Sequence, residues 1–391
     1  MNDKTRDFIE QNLNADIRQL ALKGCRDKDV DLDAAIRQIA GRQTARRKLP
    51  SWAALDGILY PPHLNMEQCS SEQTARYKAR ICSSHPSPKT LVDLTGGFGV
   101  DFAFMSEAFD EATYVERNSE LFTISSANMK ILAPKAKCLN EDGLEVLLHL
   151  DHVSMIFMDP ARRDHHGART YGISDCTPNV LEIKDELLQK ADTVMLKLSP
   201  MLDWHKAISD LGGQYIKEVH IVSVQNECKE LLIIMQQQPA KPFTVYCVND
   251  DAVFSYHPSS LIPHPSSFIP HPSSFLYEPN ASIMKAGCFA EIEQAFEVSQ
   301  LAHNSHLFAS DQVIADFPGR KFRVTAVTSM NKQDLKQALR DIRQANIAVR
   351  NFPMSVADLR KRLKLSEGGN DYIFATTLTE GKKVLIICQH L

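Results

Sequence analysis

The sequence lacks several features that would assign it to a class at once. It has no run of about 18 apolar residues, so no transmembrane helix is expected, and its polar residues 1–6 lack the apolar core of a signal peptide. Its nine cysteines include no Cys-x-x-Cys pair. This argues against a disulfide framework and against a zinc knuckle. Reduced thiols are typical of the cytoplasm, which is the predicted location.

The chain also has little net charge. A net charge of -4 over 391 residues argues against a general electrostatic attraction to nucleic acid, although it can hide local asymmetry. With 43% hydrophobic and 24% charged residues the composition is that of an ordinary globular protein. At roughly 150 residues per domain, the length predicts two or three domains.

Hydrophobic patterning divides the chain into five predicted segments. Short apolar runs at residues 91–94, 112–115, 155–158 and 193–198 alternate with helical stretches, which is typical of a parallel sheet covered by helices. Two further runs, 218–224 and 231–235, are close enough to form an antiparallel hairpin. The segments are a helical N-terminal region (1–86), a doubly wound α/β domain (87–245), a linker (246–276), a small α+β segment (277–320) and a basic α+β domain (321–391).

The linker contains a seven-residue repeat, His-Pro-Ser-Ser-(Leu/Phe)-Ile-Pro, over residues 257–275. Two prolines in each period exclude a coiled coil despite the heptad length. We interpret the repeat as an extended or disordered insertion without an assigned role.

A glycine-rich turn follows the first predicted strand. It runs Asp93-Leu94-Thr95-Gly96-Gly97-Phe98-Gly99 and leads into a predicted helix. A strand, a glycine turn and a helix N-terminus together form a nucleotide-sized cradle at the carboxyl edge of a parallel sheet. A glycine turn in another kind of α/β protein would show the same pattern.

Two acidic residues follow at the ends of later strands. Glu116 lies 23 positions after Asp93, where a doubly wound sheet places an acid that binds ribose hydroxyls. Asp142 follows a weakly defined third strand, where a carboxylate can accept the exocyclic amine of an adenine. Glu116 could instead be a surface acid at a strand end.

The motif Asp159-Pro160-Ala161-Arg162-Arg163 follows an apolar strand. A carboxylate and a carbonyl held in place by proline are suitable acceptors for a substrate NH2 group, whose lone pair they would direct toward an electrophile. Arg162 and Arg163 could hold a phosphate or stack on a base. A turn with solvated arginines is the alternative. We interpret the neighbouring His165 and His166 as loop residues.

In order, these motifs resemble those of class I S-adenosylmethionine-dependent methyltransferases over roughly residues 88–240. More closely, the whole chain resembles bacterial methyltransferases that carry a C-terminal THUMP-like domain. The matching stretches are Glu67-Gln68-Cys69-Ser70-Ser71-Glu72, Asp159-Pro160-Ala161-Arg162-Arg163, Phe317-Pro318-Gly319-Arg320 and Arg350-Asn351-Phe352-Pro353. The resemblance implies a Rossmann-like α/β domain with a helical N-terminal region and a C-terminal ferredoxin-like and THUMP-like region. It also implies an RNA substrate.

The resemblance assigns a role to each motif. The cofactor would be S-adenosyl-L-methionine, with no metal. The turn residues Asp93, Gly97 and Gly99 would line its methionine end, Glu116 would bind its ribose and Asp142 its adenine. Thr95 and Gly96 of the same turn are also predicted to bind the cofactor. Asp159 and Pro160 would hold the target nitrogen. Because Arg162 and Arg163 stand where an aromatic residue would stack on the base, specificity for the adenine amine is not implied.

The fifth predicted strand ends in Lys197-Leu198-Ser199-Pro200. Lys197 and Ser199 are predicted to form one wall of the substrate pocket. The motif Asp-Pro-Ala-Arg is also similar to that of uracil-C5 methyltransferases, but those need a cysteine nucleophile after this strand. None is present, so methylation of a carbon, which needs covalent activation, is not favoured.

The C-terminal region is basic within an acidic chain. Between Arg320 and Lys364 there are twelve Lys and Arg against three Asp and Glu. The asymmetry predicts a polyanionic partner, here RNA, although solvated helix faces give the same count. The sequence therefore predicts methyl transfer to a nitrogen of an RNA base by direct displacement. The alternatives are a methyltransferase acting on protein or a small molecule, and an RNA-binding protein with a degenerate cofactor site.

Overall fold

The computed structural model describes residues 1–84, 89–162, 172–239, 241–258, 268–379 and 381–391, without the side chain of Arg162. The predictions made for Arg163, for His165 and His166, and for most of the seven-residue repeat lie outside these ranges. The chain forms two compact units. The first contains residues 1–219 and 230–243, and the second contains residues 220–229 and 244–391.

The N-terminal region is helical, as the periodicity predicts. Its helices are α1 (Asp3–Gln11), α2 (Ile17–Lys23), α3 (Leu32–Lys48), α4 (Pro50–Ala53), α5 (His63–Gln68) and α6 (Glu72–Ser83). The structure divides residues 63–83 into two helices, α5 and α6. The hydroxyl of Ser71 accepts a hydrogen bond from the Thr74 amide at 3.2 Å. This N-cap starts a new helix, so α5 and α6 are separate.

A mixed sheet forms the centre of the first unit. Its strands and two flanking short strands are β1 (Thr90–Asp93), β2 (Glu111–Val115), β3 (Lys137–Leu139), β4 (Val153–Met158), β5 (Ala161–Arg162), β6 (Cys176–Thr177), β7 (Ala191–Leu198), β8 (Ile216–Val224) and β9 (Glu227–Met235). Residues 220–229 of β8, β9 and the turn between them belong to the second unit. The helices between them are α7 (Val100–Ser106), α8 (Ser119–Leu132), α9 (Gly143–His149), α10 (Val180–Lys190) and α11 (Trp204–Leu211).

The strand order brings the predicted motifs to one edge. From β9 the order runs β9-β7-β4-β1-β2-β3, with β8 on the other side of β9. Strands β7, β4, β1, β2 and β3 are parallel, and β9 is antiparallel to β7. The parallel strands alternate with helices as the sequence predicts, so the carboxyl ends of β1, β2, β3, β4 and β7 share an edge.

The predicted hairpin joins β8 to β9. Gln225 and Asn226 form its two-residue turn with φ of 51° and 59°, the backbone that matches the right-handed twist of hairpin strands. Strand β9 lies between β7 and β8. The strand that pairs with β7 is therefore β9, although β8 comes first in the sequence.

The second unit is an α+β structure. Its strands are β10 (Thr244–Asn249), β11 (Ala252–Tyr256), β12 (Phe275–Pro279), β13 (Ser299–Gln300), β14 (Phe308–Ser310), β15 (Gly319–Thr328), β16 (Asn346–Arg350), β17 (Asp371–Thr377) and β18 (Lys383–His390). Its helices are α12 (Ala281–Ala286), α13 (Phe289–Phe296), α14 (Lys332–Ala338) and α15 (Val356–Leu363). A seven-stranded sheet runs β13-β14-β12-β15-β18-β17-β16. Across the described ranges, no helix combines the length and apolar character needed to cross a membrane.

Candidate active site

The glycine turn after β1 is held by hydrogen bonds from both sides. The buried carboxylate of Asp93 accepts from the Thr95 amide at 2.9 Å. The φ angles of Gly97 and Gly99 are +57° and +82°, which favour glycine. A Cβ on Gly96 would lie 2.2 Å from Cε2 of Tyr114, so this position needs glycine for space.

Glu116 closes the turn from the neighbouring strand. Its Oε2 accepts from the Gly97 amide at 2.8 Å, and its Oε1 accepts from the Asn118 amide at 2.7 Å. The hydroxyls of Tyr114 and Ser125 donate to the Gly97 carbonyl. An ionised carboxylate has about four acceptor positions. Glu116 therefore retains the capacity to accept from a diol while it fixes the turn.

Asp142 lies at the same edge but serves first as a helix cap. It is exposed, and its Oδ1 accepts from the Leu144 amide at 2.9 Å as the N-cap of α9. Arg117 lies 3.9 Å from its other oxygen. A Cβ on Gly143 would lie 2.1 Å from the Leu94 carbonyl oxygen, so α9 begins directly against the end of β1. A contact between Asp142 and an adenine stays a prediction.

The residues around the turn fit a cationic nucleoside. The space beside Gly97 is open, since only the Thr95 carbonyl oxygen lies within 4 Å of where its Cβ would be, at 3.8 Å. Burial raises the pKa of Asp93 well above its ordinary value, and the carboxylates of Asp101, Asp159 and Glu116 raise it further. A site with this excess of negative charge favours a sulfonium or ammonium group.

Asp159 is joined directly to the glycine turn. Its backbone amide donates to the hydroxyl of Thr95 at 2.6 Å, which links the end of β4 to the turn after β1. Pro160 is buried beside it. The Asp159 side chain is 41% exposed, so its carboxylate can reach a substrate. The structure thus brings the predicted cofactor turn and the predicted catalytic pair together.

Lys197 is the partner of Asp159. Its Nζ lies 2.6 Å from Oδ2 of Asp159 and 3.2 Å from Oδ2 of Asp101. Burial disfavours the charge of Lys197, but the carboxylates of Asp101 and Asp159 outweigh it and raise the pKa of the ammonium well above its ordinary value. Lys197 is therefore a cation at neutral pH, held beside the predicted catalytic carboxylate.

A buried network behind Lys197 was not predicted. Lys78, on α6, is completely buried and lies 3.1 Å from Asp101 and 2.5 Å from Glu230. The hydroxyl of Ser70 donates to Oδ2 of Asp101 at 2.7 Å. Burial opposes the charge of Asp101, but Lys197 and Lys78 lower its pKa below the ordinary value. The sequence contained an indication of this network, because Lys78 interrupts the apolar helix face that Ala75 and Cys82 form.

The remaining predicted residues are placed as follows. Ser199 follows β7 and its hydroxyl accepts from the Met201 amide at 3.3 Å, so it shapes the turn that leaves the sheet. The backbone of Arg162 pairs with Cys176 in the two-stranded β5–β6 sheet. Within the described part of the chain, no group of three or more His, Cys, Asp or Glu residues is arranged to hold a metal.

Comparison with known proteins confirms the resemblance predicted from the sequence. Residues 319–390 match a THUMP domain-like family and residues 275–318 a ferredoxin-like domain family. The whole chain is similar to a crystal structure from Porphyromonas gingivalis W83 described as a "putative methyltransferase", with 29% identity, a TM-score of 0.86, and coverage of 100% of this chain and 99% of that one. The protein thus combines a class I methyltransferase-type α/β sheet with ferredoxin-like and THUMP-like regions.

Two further solved structures show partial similarity. One is described as a "putative class I S-adenosylmethionine-dependent methyltransferase" from Listeria monocytogenes, with 11% identity, a TM-score of 0.40, and coverage of 64% of this chain and 94% of that one. The other is described as a "putative RNA methyltransferase" from Pyrococcus horikoshii, with 14% identity, a TM-score of 0.36, and coverage of 51% and 100%. No curated protein sequence matches the chain.

Proposed function

We propose that the protein is an S-adenosyl-L-methionine-dependent methyltransferase that transfers a methyl group to a nitrogen of an RNA base. The observation that carries the proposal is the 2.6 Å hydrogen bond from the Asp159 amide to Thr95. It holds the acceptor motif and the nucleotide-type turn in one rigid arrangement, as alignment of donor and acceptor requires. The full-length similarity to the Porphyromonas gingivalis structure, described as a "putative methyltransferase", supports methyl transfer.

In this proposal each residue has a separate task. S-adenosyl-L-methionine supplies an electrophilic methyl group when bound. Asp93 and the glycine turn hold its charged end, Glu116 accepts from its ribose and Asp142 from its adenine. Asp159, with the buried Pro160, orients the target nitrogen and accepts a proton. Arg162, Arg163 and Ser199 are proposed to bind the substrate beside Lys197.

RNA is proposed as the substrate because of the C-terminal region. Residues 319–390 match the THUMP domain-like family, and the segment from Arg320 to Lys364 has the basic excess described above. The nine cysteines are all free, which is consistent with the proposed cytoplasmic setting.

Two measurements test the proposal. Calorimetric titration of the purified chain with S-adenosyl-L-methionine should show binding, and Asp159→Ala should abolish transfer while leaving that binding nearly unchanged. The absence of binding would favour an RNA-binding protein with a degenerate cofactor site.

The chain is then incubated with labelled S-adenosyl-L-methionine and total RNA and protein from cells that lack it. Label in protein or in small molecules, and not in RNA, would contradict the proposed substrate.

A further inference from the structure

The Asp159–Lys197 pair presents two different hydrogen-bonding groups at one place. Met158 and Leu196 are paired in the parallel register of β4 and β7, so the next residues, Asp159 just past the end of β4 and Lys197 within β7, lie side by side. Their side chains meet at 2.6 Å. A carboxylate only accepts hydrogen bonds and an ammonium only donates them. An acceptor therefore lies directly beside a donor.

The buried network fixes Lys197 in this position. Asp101 holds its Nζ at 3.2 Å and is itself held by Lys78 at 3.1 Å and by Ser70 at 2.7 Å. Two of the three ammonium hydrogens of Lys197 have partners among the residues described, namely Asp101 and Asp159. Because Asp101 lies behind it, Lys197 cannot move away when a substrate arrives without breaking a buried ion pair, which is costly.

A carboxylate beside an ammonium can hydrogen-bond to some chemical groups of a base and not to others. An exocyclic amine offers two hydrogens and needs two acceptors, so the Lys197 ammonium would face one of its hydrogens. A lactam edge, a ring N–H next to a C=O, offers one hydrogen and one acceptor. It can donate to Asp159 and accept from Lys197 at the same time. Charge-assisted bonds of this kind are the stronger ones.

We propose that Asp159 and Lys197 together recognise the lactam edge of a base, as found in guanine and uracil, and that the ring nitrogen of that edge receives the methyl group. The inference rests on the proposed function and specifies its substrate class. Lys197 becomes a catalytic residue in addition to a substrate contact.

The step is balanced in atoms and charge. Asp159 accepts the ring N–H proton, and the nitrogen lone pair forms the new N–C bond to the methyl carbon. The C–S bond of the sulfonium breaks, its electron pair stays on sulfur, and a neutral thioether leaves. Lys197 donates to the carbonyl oxygen, which shares the negative charge of the deprotonated lactam. The proton leaves from Asp159 to solvent, since this carboxyl is 41% exposed.

The first test identifies the methylated atom. Total RNA from cells lacking the protein is methylated by the purified enzyme, digested to nucleosides and analysed by mass spectrometry. We expect the methyl group on a lactam ring nitrogen of guanosine or uridine. A methyl group on an exocyclic amine would overturn this inference and leave the proposed function standing. The absence of methylated nucleosides, or a methyl group on ribose or carbon, would overturn both.

A second test isolates Lys197. Lys197→Gln should lower transfer at neutral pH by about 10- to 100-fold, the effect of losing a charged hydrogen bond, and should move the rising limb of the pH–rate profile to higher pH, because the lactam then ionises without a nearby cation. Lys197→Arg should restore part of the rate. Lys206, an exposed lysine paired with Asp210 at 2.9 Å, supplies the matched control Lys206→Gln.

The Lys197→Gln chain is first shown to be folded and to bind S-adenosyl-L-methionine by calorimetry. If it does not fold, Lys197→Met, which also removes the charge, provides the pH–rate comparison. A pH–rate profile identical to that of the unmodified chain in the folded, uncharged variant would contradict a role for Lys197 in the chemical step.

Discussion

At the scale of single residues, Asp93 links the cofactor turn to pH. Burial raises its pKa, and the neighbouring carboxylates of Asp101, Asp159 and Glu116 add to the shift. A carboxyl whose pKa is higher in the folded state binds its proton more tightly there. Its contribution to stability is therefore complete below about pH 3.9, the unfolded value, and is lost as the pH rises through the folded value.

The variant Asp93→Asn should remove this contribution to the pH dependence of stability. Asparagine keeps an oxygen for the Thr95 amide but removes the charge, so the melting temperature at pH 7–9 should rise relative to the unmodified chain. Its affinity for S-adenosyl-L-methionine should fall by about tenfold or more, because a charged partner is lost. Thermal unfolding between pH 5 and 9 and calorimetric titration measure the two effects. The prediction would be contradicted if the melting temperatures of the two chains changed in parallel between pH 5 and 9. The control is Asp151→Asn, since Asp151 is exposed.

Gly96 tests whether the turn is limited by space. Its Cβ would lie 2.2 Å from the Tyr114 ring, which is completely buried and cannot move aside. We expect Gly96→Ala to lower the free energy of unfolding by about 1–3 kcal/mol and to weaken cofactor binding. Urea unfolding provides the measurement. The control is Gly213→Ala, where the nearest atom, Cγ2 of Ile208, would be 3.7 Å away; equal losses in the two variants would rule out the steric explanation.

Residue types and their order were enough to predict that Asp93, Glu116 and Asp159 lie at the same edge of the sheet, because the parallel strands bring their carboxyl ends to one edge. Their contacts were not predictable. The pairing of Asp159 with Lys197 depends on the register between β4 and β7, which hydrophobic runs do not encode. Glu116 was predicted to bind a ribose. In the structure it accepts a hydrogen bond from the Gly97 amide, and this contact depends on the backbone conformation of the glycine turn.

At the scale of elements, strands were easier to predict than helix ends. The buried strands are short apolar runs between helices, and each predicted run falls within a strand or extends at most one residue past its end. Residues 332–345 have helical periodicity, but the helix that begins at Lys332 ends at Ala338. Tertiary structure overrides its periodicity, since the Ala345 amide donates to the Ser366 carbonyl and not to a helical partner.

Lys78 joins α6 to α7 and β9 through charge. Replacing it by methionine leaves Asp101 and Glu230 buried near each other without their common partner, and we expect Lys78→Met to cost about 3–5 kcal/mol of unfolding free energy. The double variant Lys78→Met/Glu230→Leu also removes the Glu230 carboxylate, which has lost its partner Lys78. It should therefore be more stable than Lys78→Met alone. Denaturant unfolding of both single variants and the double variant gives the coupling energy. Simple additivity would show that the pair is not coupled.

At the scale of the whole molecule, part of the basic excess is used internally. The buried carboxylate of Glu278 accepts from Nε of Arg320 at 2.7 Å and from Arg350 at 2.6 Å. Both arginines belong to the basic count of the C-terminal region, so that count overstates the charge available to a partner. The sequence gives the number of charges, whereas only the structure shows which of them are paired.

The exposed basic residues at the end of α15 are therefore the better test of RNA docking. Lys361 and Arg362 are exposed and lie in the last turn of that helix. Lys361→Gln/Arg362→Gln should weaken RNA binding at low salt and reduce the slope of log affinity against log salt by about 1 to 2, one condensed counterion for each lost phosphate contact. Fluorescence anisotropy with a labelled RNA from 50 to 300 mM salt (roughly the range in which such slopes are linear) measures both.

The matched control is Lys135→Gln/Lys137→Gln, which removes two exposed charges from the first unit. If the control lowers the slope as much as the α15 variant does, the attraction is a property of total charge and RNA does not dock on α15.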